Sequence, residues 1–304
     1  MRSKCKQGGR DSANGLLFRM ASPAIVSAGW LLEHLPDPRV RVLDASWYLS
    51  AMKRDPLRDF REGHIPGAQL FSIDDASDAS SPLPHTLPSA AQFGDVVSCL
   101  GISSSDHVIV YDASGANFSA PRAWWMFRAF GHDAVSVLDG GFAAWSAVGG
   151  PIETGDPAAV PRGAFHAAFR PGMLRTAAEV RLTQQEGTAQ VVDMRSRGRF
   201  EGSEPEPRPG LRSGHIPGSR SLPFASFVDA RGMIRSAAEL RELMEKAGID
   251  VARPVIASCG SGVTACSLLL ALDMIGVPGA ALYDGSWSEW GRRTDLPIET
   301  GPPR

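Results

Sequence analysis

Cys259 opens the run Cys259-Gly260-Ser261-Gly262-Val263-Thr264. Before it, Pro254 to Ser258 reads as an apolar strand. After it, a stretch from about Thr264 to Ile275 reads as a helix closed by Gly276 and Pro278. Gly260 and Gly262 let the backbone turn tightly and keep side-chain bulk away. Successive N–H groups in such a loop, with the positive end of the following helix, make a cradle for an anion. A cradle of this kind suits a thiolate, the nucleophilic form of cysteine, and suits a persulfide, Cys–S–S⁻, equally well. The competing reading is a buried packing cysteine. Packing alone needs no glycine cradle, so Cys259 is expected to be a nucleophile. Cys266 lies about two helical turns further on and is expected in the core.

The first half of the chain carries the same loop without the cysteine. Gly63-His64-Ile65-Pro66-Gly67 recurs as Gly214-His215-Ile216-Pro217-Gly218, and Val42-Leu43-Asp44 recurs as Val191-Val192-Asp193. Val108 to Asp112 recurs as Val255 to Cys259, and Asp139-Gly140-Gly141 with Trp145 recurs as Asp284-Gly285-Ser286 with Trp290. Pro151 to Gly155 recurs as Pro297 to Gly301. The offset stays between 145 and 151 residues, so insertions between copies are expected to be small. A period this long means tandem domains. Asp112 stands where Cys259 stands, and a carboxylate cannot do thiolate chemistry, so the first copy is expected to be silent. His64 and His215 occur in both copies and are expected to bind backbone at their turns. The tryptophans Trp124, Trp125, Trp287 and Trp290 read as packing.

Within each copy, capping boxes (Ser89 to Gln92, Thr176 to Glu179, Ser236 to Glu239) open helices that stop at Gly101, Gly187 and Gly248. Helices alternating with short apolar strands imply an α/β architecture, each copy a parallel sheet flanked by helices. The expected division is a leader over 1–21, domains over 22–155 and 172–304, and a proline-rich linker over 156–171. A second irregular segment, Arg195 to Arg212, is read as an insertion peculiar to the cysteine-bearing copy and a candidate substrate loop.

With 304 residues, two domains of ordinary size fit. A net charge of -2 offers no general attraction to nucleic acid or an anionic membrane. The four cysteines are scattered and none forms a CxxC pair, which argues against a disulfide scaffold and a structural zinc site and favours a reducing compartment. No nucleotide loop appears, and no cofactor is expected. Residues 1–19 hold five basic residues against Asp11, which fits a mitochondrial presequence or a leader before Met20; the compartment is therefore cytoplasm, mitochondrion or both. Cys5 or Cys99 could link two subunits under oxidation; otherwise a monomer is expected.

The loop Cys-Gly-Ser-Gly-Val-Thr, the two Gly-His-Ile-Pro-Gly turns and Asp-Gly-Ser-Trp after the last strand resemble the tandem rhodanese family over nearly all of residues 22 to 301. The resemblance implies two rhodanese-like α/β domains with the site at their interface. Within the family, the chain looks like the branch that takes sulfur from 3-mercaptopyruvate. Thiosulfate users usually carry basic residues after the cysteine, where this chain has Gly260 and Ser261. A dianion wants more cations nearby than a monocarboxylate does. Related phosphatases close a longer loop with arginine; here Thr264 closes it, which disfavours phosphoryl transfer.

By the same resemblance, Arg199 and Arg208 match the family's substrate arginines, whose planar forks suit a carboxylate. Arg195 and Arg197 are close enough to be confused with them. Gly260, Gly262, Val263 and Thr264 would shape the substrate loop. Ser261, His85 and Asp74 are implied as a proton relay drawn from both copies. The implied acceptors are thioredoxin or small thiols, with hydrogen sulfide released on reduction, or cyanide. Thiosulfate sulfurtransferase activity and a non-enzymatic binding or redox-sensing pair remain the alternatives.

Overall fold

Three helices begin at their capping boxes. Ser89, Thr176 and Ser236 each accept the N–H three residues on, and Gln92, Glu179 and Glu239 each reach back to the cap N–H. The structure is a computed structural model describing residues 22–303. The leader and Cys5 lie outside the described residues.

Two five-stranded parallel sheets are formed. The first joins β1 (Ile25–Val26), β2 (Val40–Asp44), β3 (Gln69–Leu70), β4 (His107–Tyr111) and β5 (Val135–Leu138) in the order β1-β5-β4-β2-β3. The second joins β6 (Leu174–Arg175), β7 (Gln190–Asp193), β8 (Arg220–Ser221), β9 (Val255–Ser258) and β10 (Ala281–Tyr283) in the order β6-β10-β9-β7-β8. The two orders are the same, so the repeat in sequence is a repeat in fold.

Between the sheets, helix α4 (Ala120–Ala129) of the first copy packs on helix α9 (Cys266–Met274) of the second. Every residue of α9 from Cys266 to Leu272 is buried, as are Trp124, Trp125, Met126 and Phe127 on α4. Helices buried to this extent have almost no solvent face and must be covered on nearly every side. Each is covered by its own sheet and by the other copy, and one contiguous core runs through both. A reciprocal polar brace flanks it. Asp284 accepts the N–H of Leu87 at 2.7 Å, and Asp139 accepts the N–H of Ile234 at 2.8 Å. Leu87 and Ile234 each stand two residues before a capping serine, so the brace repeats with the duplication.

The near-constant offset conceals two large compensating insertions. His64 Nδ1 contacts the Phe60 carbonyl at 2.8 Å and its ring stacks on Phe60; His215 does the same with Phe200 at 2.9 Å. Phe60 and Phe200 are therefore equivalent, although only 140 residues apart. The α2 helix (Pro56–Glu62) thus matches α7 (Arg197–Glu201). Copy one has its extra residues before that helix, in 45–55, and copy two after it, in 202–213. The expectation that Arg195 to Arg212 has no counterpart is corrected for its helical part. Residues 156–171 are also less free than a linker. Gly163 donates to the Ser98 carbonyl (2.8 Å), Ala168 donates to that of Phe130 (2.9 Å), and Phe165 inserts between Phe93 and Phe127.

The repeated strand-end aspartates have diverged. Asp193 is paired with fully buried Arg195, whose place in copy one is taken by Ser46. Burial therefore pushes the Asp44 carboxyl up to about 6, against hydrogen bonds from Ser46 and Tyr111. Its folded value lies above its unfolded one, so its contribution is present in acid and lost as pH rises through about 6. Asp44→Asn is expected to add about 1–3 kcal/mol of stability at pH 8 and little near pH 4. Asp193→Asn, which strips a charge from a buried pair, is expected to cost about 3–5 kcal/mol. Thermal melts of both variants from pH 4 to 8 test this; an Asp44→Asn protein less stable than its parent at pH 8 would refute the burial argument.

Candidate active site

In an open parallel sheet, a crevice forms where the chain reverses its direction of travel across the strands. Here that point lies between β7 and β9. Cys259 follows β9 directly and Arg195 lies two residues beyond β7, so both open into it. A cavity of about 220 Å³ holds Cys259, Gly260, Ser261, Val263 and Thr264 with Arg199 and Arg208 on its wall. That is below the roughly 300–1,000 Å³ of drug-sized sites and fits a small substrate.

The loop is held through the Cys259 amide and the carbonyls of Cys259 and Gly260, leaving the amides that follow open. Cys259 N–H donates to Ser286 Oγ (3.1 Å), its carbonyl accepts from Trp287 N–H (3.0 Å), and that of Gly260 accepts from Ser288 N–H (2.9 Å). Among the described residues, no protein acceptor takes the backbone N–H of residues 260 through 265. These donors precede α9, whose first turn adds its own dipole. Copy one shows what such a loop holds. Asp112 Oδ2 accepts the N–H groups of Ser119 and Ala120, both at 3.0 Å, and Oδ1 accepts that of Ser114 at 2.9 Å. The loop of copy one thus wraps its own carboxylate, while that of copy two leaves its donors open.

The residues expected as a relay meet across the two copies. His85 Nδ1 lies 2.9 Å from Ser261 Oγ, and its Nε2 lies 3.1 Å from Asp74 Oδ1. The hydrogen bond from His85 holds the Asp74 carboxyl below its ordinary value, against partial desolvation. An ionised Asp74 favours the tautomer with the proton on Nε2, which leaves Nδ1 to accept from the Ser261 hydroxyl. Arg208 Nη2 approaches the same hydroxyl at 3.5 Å.

The two expected substrate arginines differ. Arg199 donates through Nε (3.2 Å) and Nη2 (2.6 Å) to Glu206, which also takes Nη1 of Arg195 at 2.6 Å. Arg195 is fully buried and spent on Asp193 and Glu206, and Arg197 is exposed beside Glu201. Arg208 has no carboxylate partner within ion-pair distance among the described residues. Burial pushes its guanidinium down from the ordinary value, opposed first by the nearby Cys259 sulfur. An added Cβ on Gly260 would lie 3.1 Å from Arg199 and 3.8 Å from Arg208, so both guanidiniums stand over the loop. Cys266 donates to the Gly262 carbonyl at 3.3 Å, and burial pushes its thiol far up, in keeping with a core position.

Several site residues escaped the sequence reading. Trp47, Leu49, Ser50 and Ala51, from the extra segment of copy one, form the far wall of the cavity. The Trp47 ring meets His85 edge-on with centroids 4.9 Å apart. Ser286, which holds the Cys259 amide, takes the left-handed φ of +48 where copy one has Gly141 at +55. That glycine-to-serine change was visible in the repeat and was the available signal.

Two matches to the rhodanese-like domain model cover residues 27–148 and 176–293. The chain therefore belongs to the rhodanese family, as a tandem-domain sulfurtransferase. It is 46% identical over 280 residues to a rat protein named 3-mercaptopyruvate sulfurtransferase, covering 89% of this chain and 94% of that one. An Escherichia coli K12 protein of the same name is 44% identical over 281 residues (92% and 99% covered). A rat thiosulfate sulfurtransferase is equally similar, 45% identical over 283 residues (91% and 94% covered). The crystal structure of SseA from Escherichia coli, presented with the fold and mechanism of 3-mercaptopyruvate sulfotransferases, superposes with a TM-score of 0.80 at 41% identity, covering 88% of this chain and all of that one. Overall identity thus fails to separate the two donor classes, and the loop has to.

Gly262 has φ +78, and a Cβ there would lie 2.8 Å from Asp284 Oδ1. Gly262→Ala is expected to cost about 1–3 kcal/mol in the native state and to reduce alkylation of Cys259 by iodoacetamide at least about tenfold. Unchanged alkylation in a folded Gly262→Ala protein would show that the loop conformation is not what exposes the donors to the sulfur.

Proposed function

We propose that the protein transfers the sulfur of 3-mercaptopyruvate through a Cys259 persulfide to a thiol acceptor. The observation that carries this is the open amide cradle at Cys259, set beneath one unpaired guanidinium, Arg208, and the partly engaged Arg199. A monocarboxylate needs one such fork, and no basic residue follows the cysteine to serve a dianion. The relatives named for mercaptopyruvate support the donor.

The Cys259 thiolate attacks the substrate sulfur while Arg208, with the free edge of Arg199, binds the carboxylate and keto oxygen. The sulfur–sulfur bond forms as the carbon–sulfur bond breaks, and the electron pair passes to the carbon as the enolate of pyruvate. The proton on the substrate sulfur leaves through Ser261 and His85, with Asp74 orienting the imidazole, and returns to the enolate carbon. Pyruvate departs and Cys–S–S⁻ remains in the cradle. A thiol acceptor such as thioredoxin or a small thiol then takes the outer sulfur as its own persulfide and restores the thiolate. A second thiol on the acceptor would release hydrogen sulfide and close a disulfide, and cyanide would leave as thiocyanate. The site serves in a monomer, and exposed Cys99 is the described cysteine through which an oxidised dimer could form. No helix among the described residues is long and apolar enough to cross a membrane, and location in cytoplasm or mitochondrion is part of this reading.

Mass spectrometry of the protein after mercaptopyruvate treatment is expected to show one added sulfur on Cys259, absent in Cys259→Ser. An unmodified Cys259 with pyruvate still released would sink the mechanism. Arg208→Lys is expected to raise KM for mercaptopyruvate about tenfold or more, Arg199→Lys less, and both to affect thiosulfate less than mercaptopyruvate. Equal effects on the two donors, measured with one acceptor, would reject the carboxylate clamp.

A further inference from the structure

Arg122 is a fully buried cation that the transfer just described does not use. It lies in the first turn of α4 and reaches across to the second copy. Its Nη2 donates to the carbonyl of His85 (2.6 Å), and its Nη1 to the carbonyl of Gly262 (3.3 Å) and to Asp284 Oδ1 (2.7 Å). The other oxygen of Asp284 takes the Leu87 N–H at 2.7 Å. One ion pair therefore grips the chain on either side of Thr86 and also touches the loop that carries Cys259. His85 needs such a grip. Its φ of +59 is left-handed, a conformation that costs a non-glycine residue on the order of 1–3 kcal/mol unless its surroundings impose it.

The duplication supplies a control. The brace of Asp284 on Leu87 has its counterpart in Asp139 on Ile234. In the register that matches Gly131 with Gly276 and Asp139 with Asp284, Arg122 falls on Ser267. The carboxylate-to-amide brace thus occurs on both sides, while the arginine occurs only beside Cys259. Holding the two copies together would call for it on both sides or neither. Placing a histidine from one copy against a serine from the other calls for it once.

We propose that Arg122 is a positioning residue for sulfur transfer: by fixing the His85 carbonyl relative to that of Gly262, it sets the His85 imidazole at hydrogen-bonding distance from Ser261. It touches no substrate and acts through His85, so the inference rests on the relay reading of His85 in the proposed function.

The test is a double-mutant cycle on sulfur transfer, followed as steady-state pyruvate release from mercaptopyruvate with one thiol acceptor at a fixed saturating concentration. Arg122→Lys, His85→Ala and the double variant are compared at a temperature where circular dichroism shows each one folded. In the parent background, Arg122→Lys is expected to lower kcat about 10- to 100-fold with KM changed less than about threefold. In the His85→Ala background it is expected to change kcat less than about threefold, because the group it positions is gone. Equal losses in both backgrounds, or a loss confined to KM, overturn the proposal. Asp284→Asn keeps an oxygen for Leu87 and weakens only the hold on Arg122. It is expected to show the same dependence on His85 with a smaller loss, and it decides the matter if Arg122→Lys does not fold. His85→Ala by itself tests the relay: if it leaves the rate unchanged, the relay reading fails, an outcome distinct from a costly His85→Ala on which Arg122→Lys is fully additive.

Discussion

The contact of α4 on α9 is the constraint on which the rest of the molecule depends. Cys259 stands on one copy and His85, which faces its loop, stands on the other, so the proposed site exists only while the two are rigidly apposed. Two helices buried along almost their whole length enforce that apposition, because separating them would expose a largely apolar surface to water. The paired braces of Asp284 on Leu87 and Asp139 on Ile234 then set the register of one copy on the other. Apolar burial supplies the affinity between copies, and directional hydrogen bonds supply the angle.

Given that apposition, the duplication has divided its labour by changing what occupies an anion cradle. In copy one, the Asp112 carboxylate satisfies the amides of Ser114, Ser119 and Ala120 and closes the loop. In copy two, the side chain at the same position is a sulfur, and the corresponding amides keep their donors free. The same backbone device is thus plugged by a carboxylate in one half and left open around a sulfur in the other. The change from Gly141 to Ser286 belongs to the same divergence, since the serine hydroxyl ties down the Cys259 amide and so orients the start of the loop.

Charge at the site is arranged in a chain from the interior outward. Asp193, Arg195, Glu206 and Arg199 alternate in sign, and the first three are almost wholly removed from water. Groups so buried are tolerable only when paired. The series ends at Arg208, whose positive charge is balanced by neither a carboxylate nor full hydration. An incoming carboxylate or a charged sulfur completes it. Copy one lacks the series altogether, with Ser46 in place of Arg195, and its buried Asp44 is correspondingly reluctant to ionise.

The longer strands and helices, the equivalence of the two copies and the glycine-rich loop around Cys259 were all legible in the residues. Each depends on local rules: capping boxes, apolar runs, glycine turns and the chemistry of a side chain between a strand and a helix. Residues 45–55 and 202–213 were not legible as separate insertions, because their lengths nearly cancel and an offset records only the difference. Nor could sequence show that Trp47 walls the cavity, that Arg199 is half engaged by Glu206 while Arg208 is open, or that Arg122 grips the His85 backbone. Those facts join residues far apart in the chain. Sequence by itself determined which groups can react; the packing of one copy against the other decided which of them meet, because hydrogen bonds and ion pairs act over a few ångströms that only the folded interface brings together.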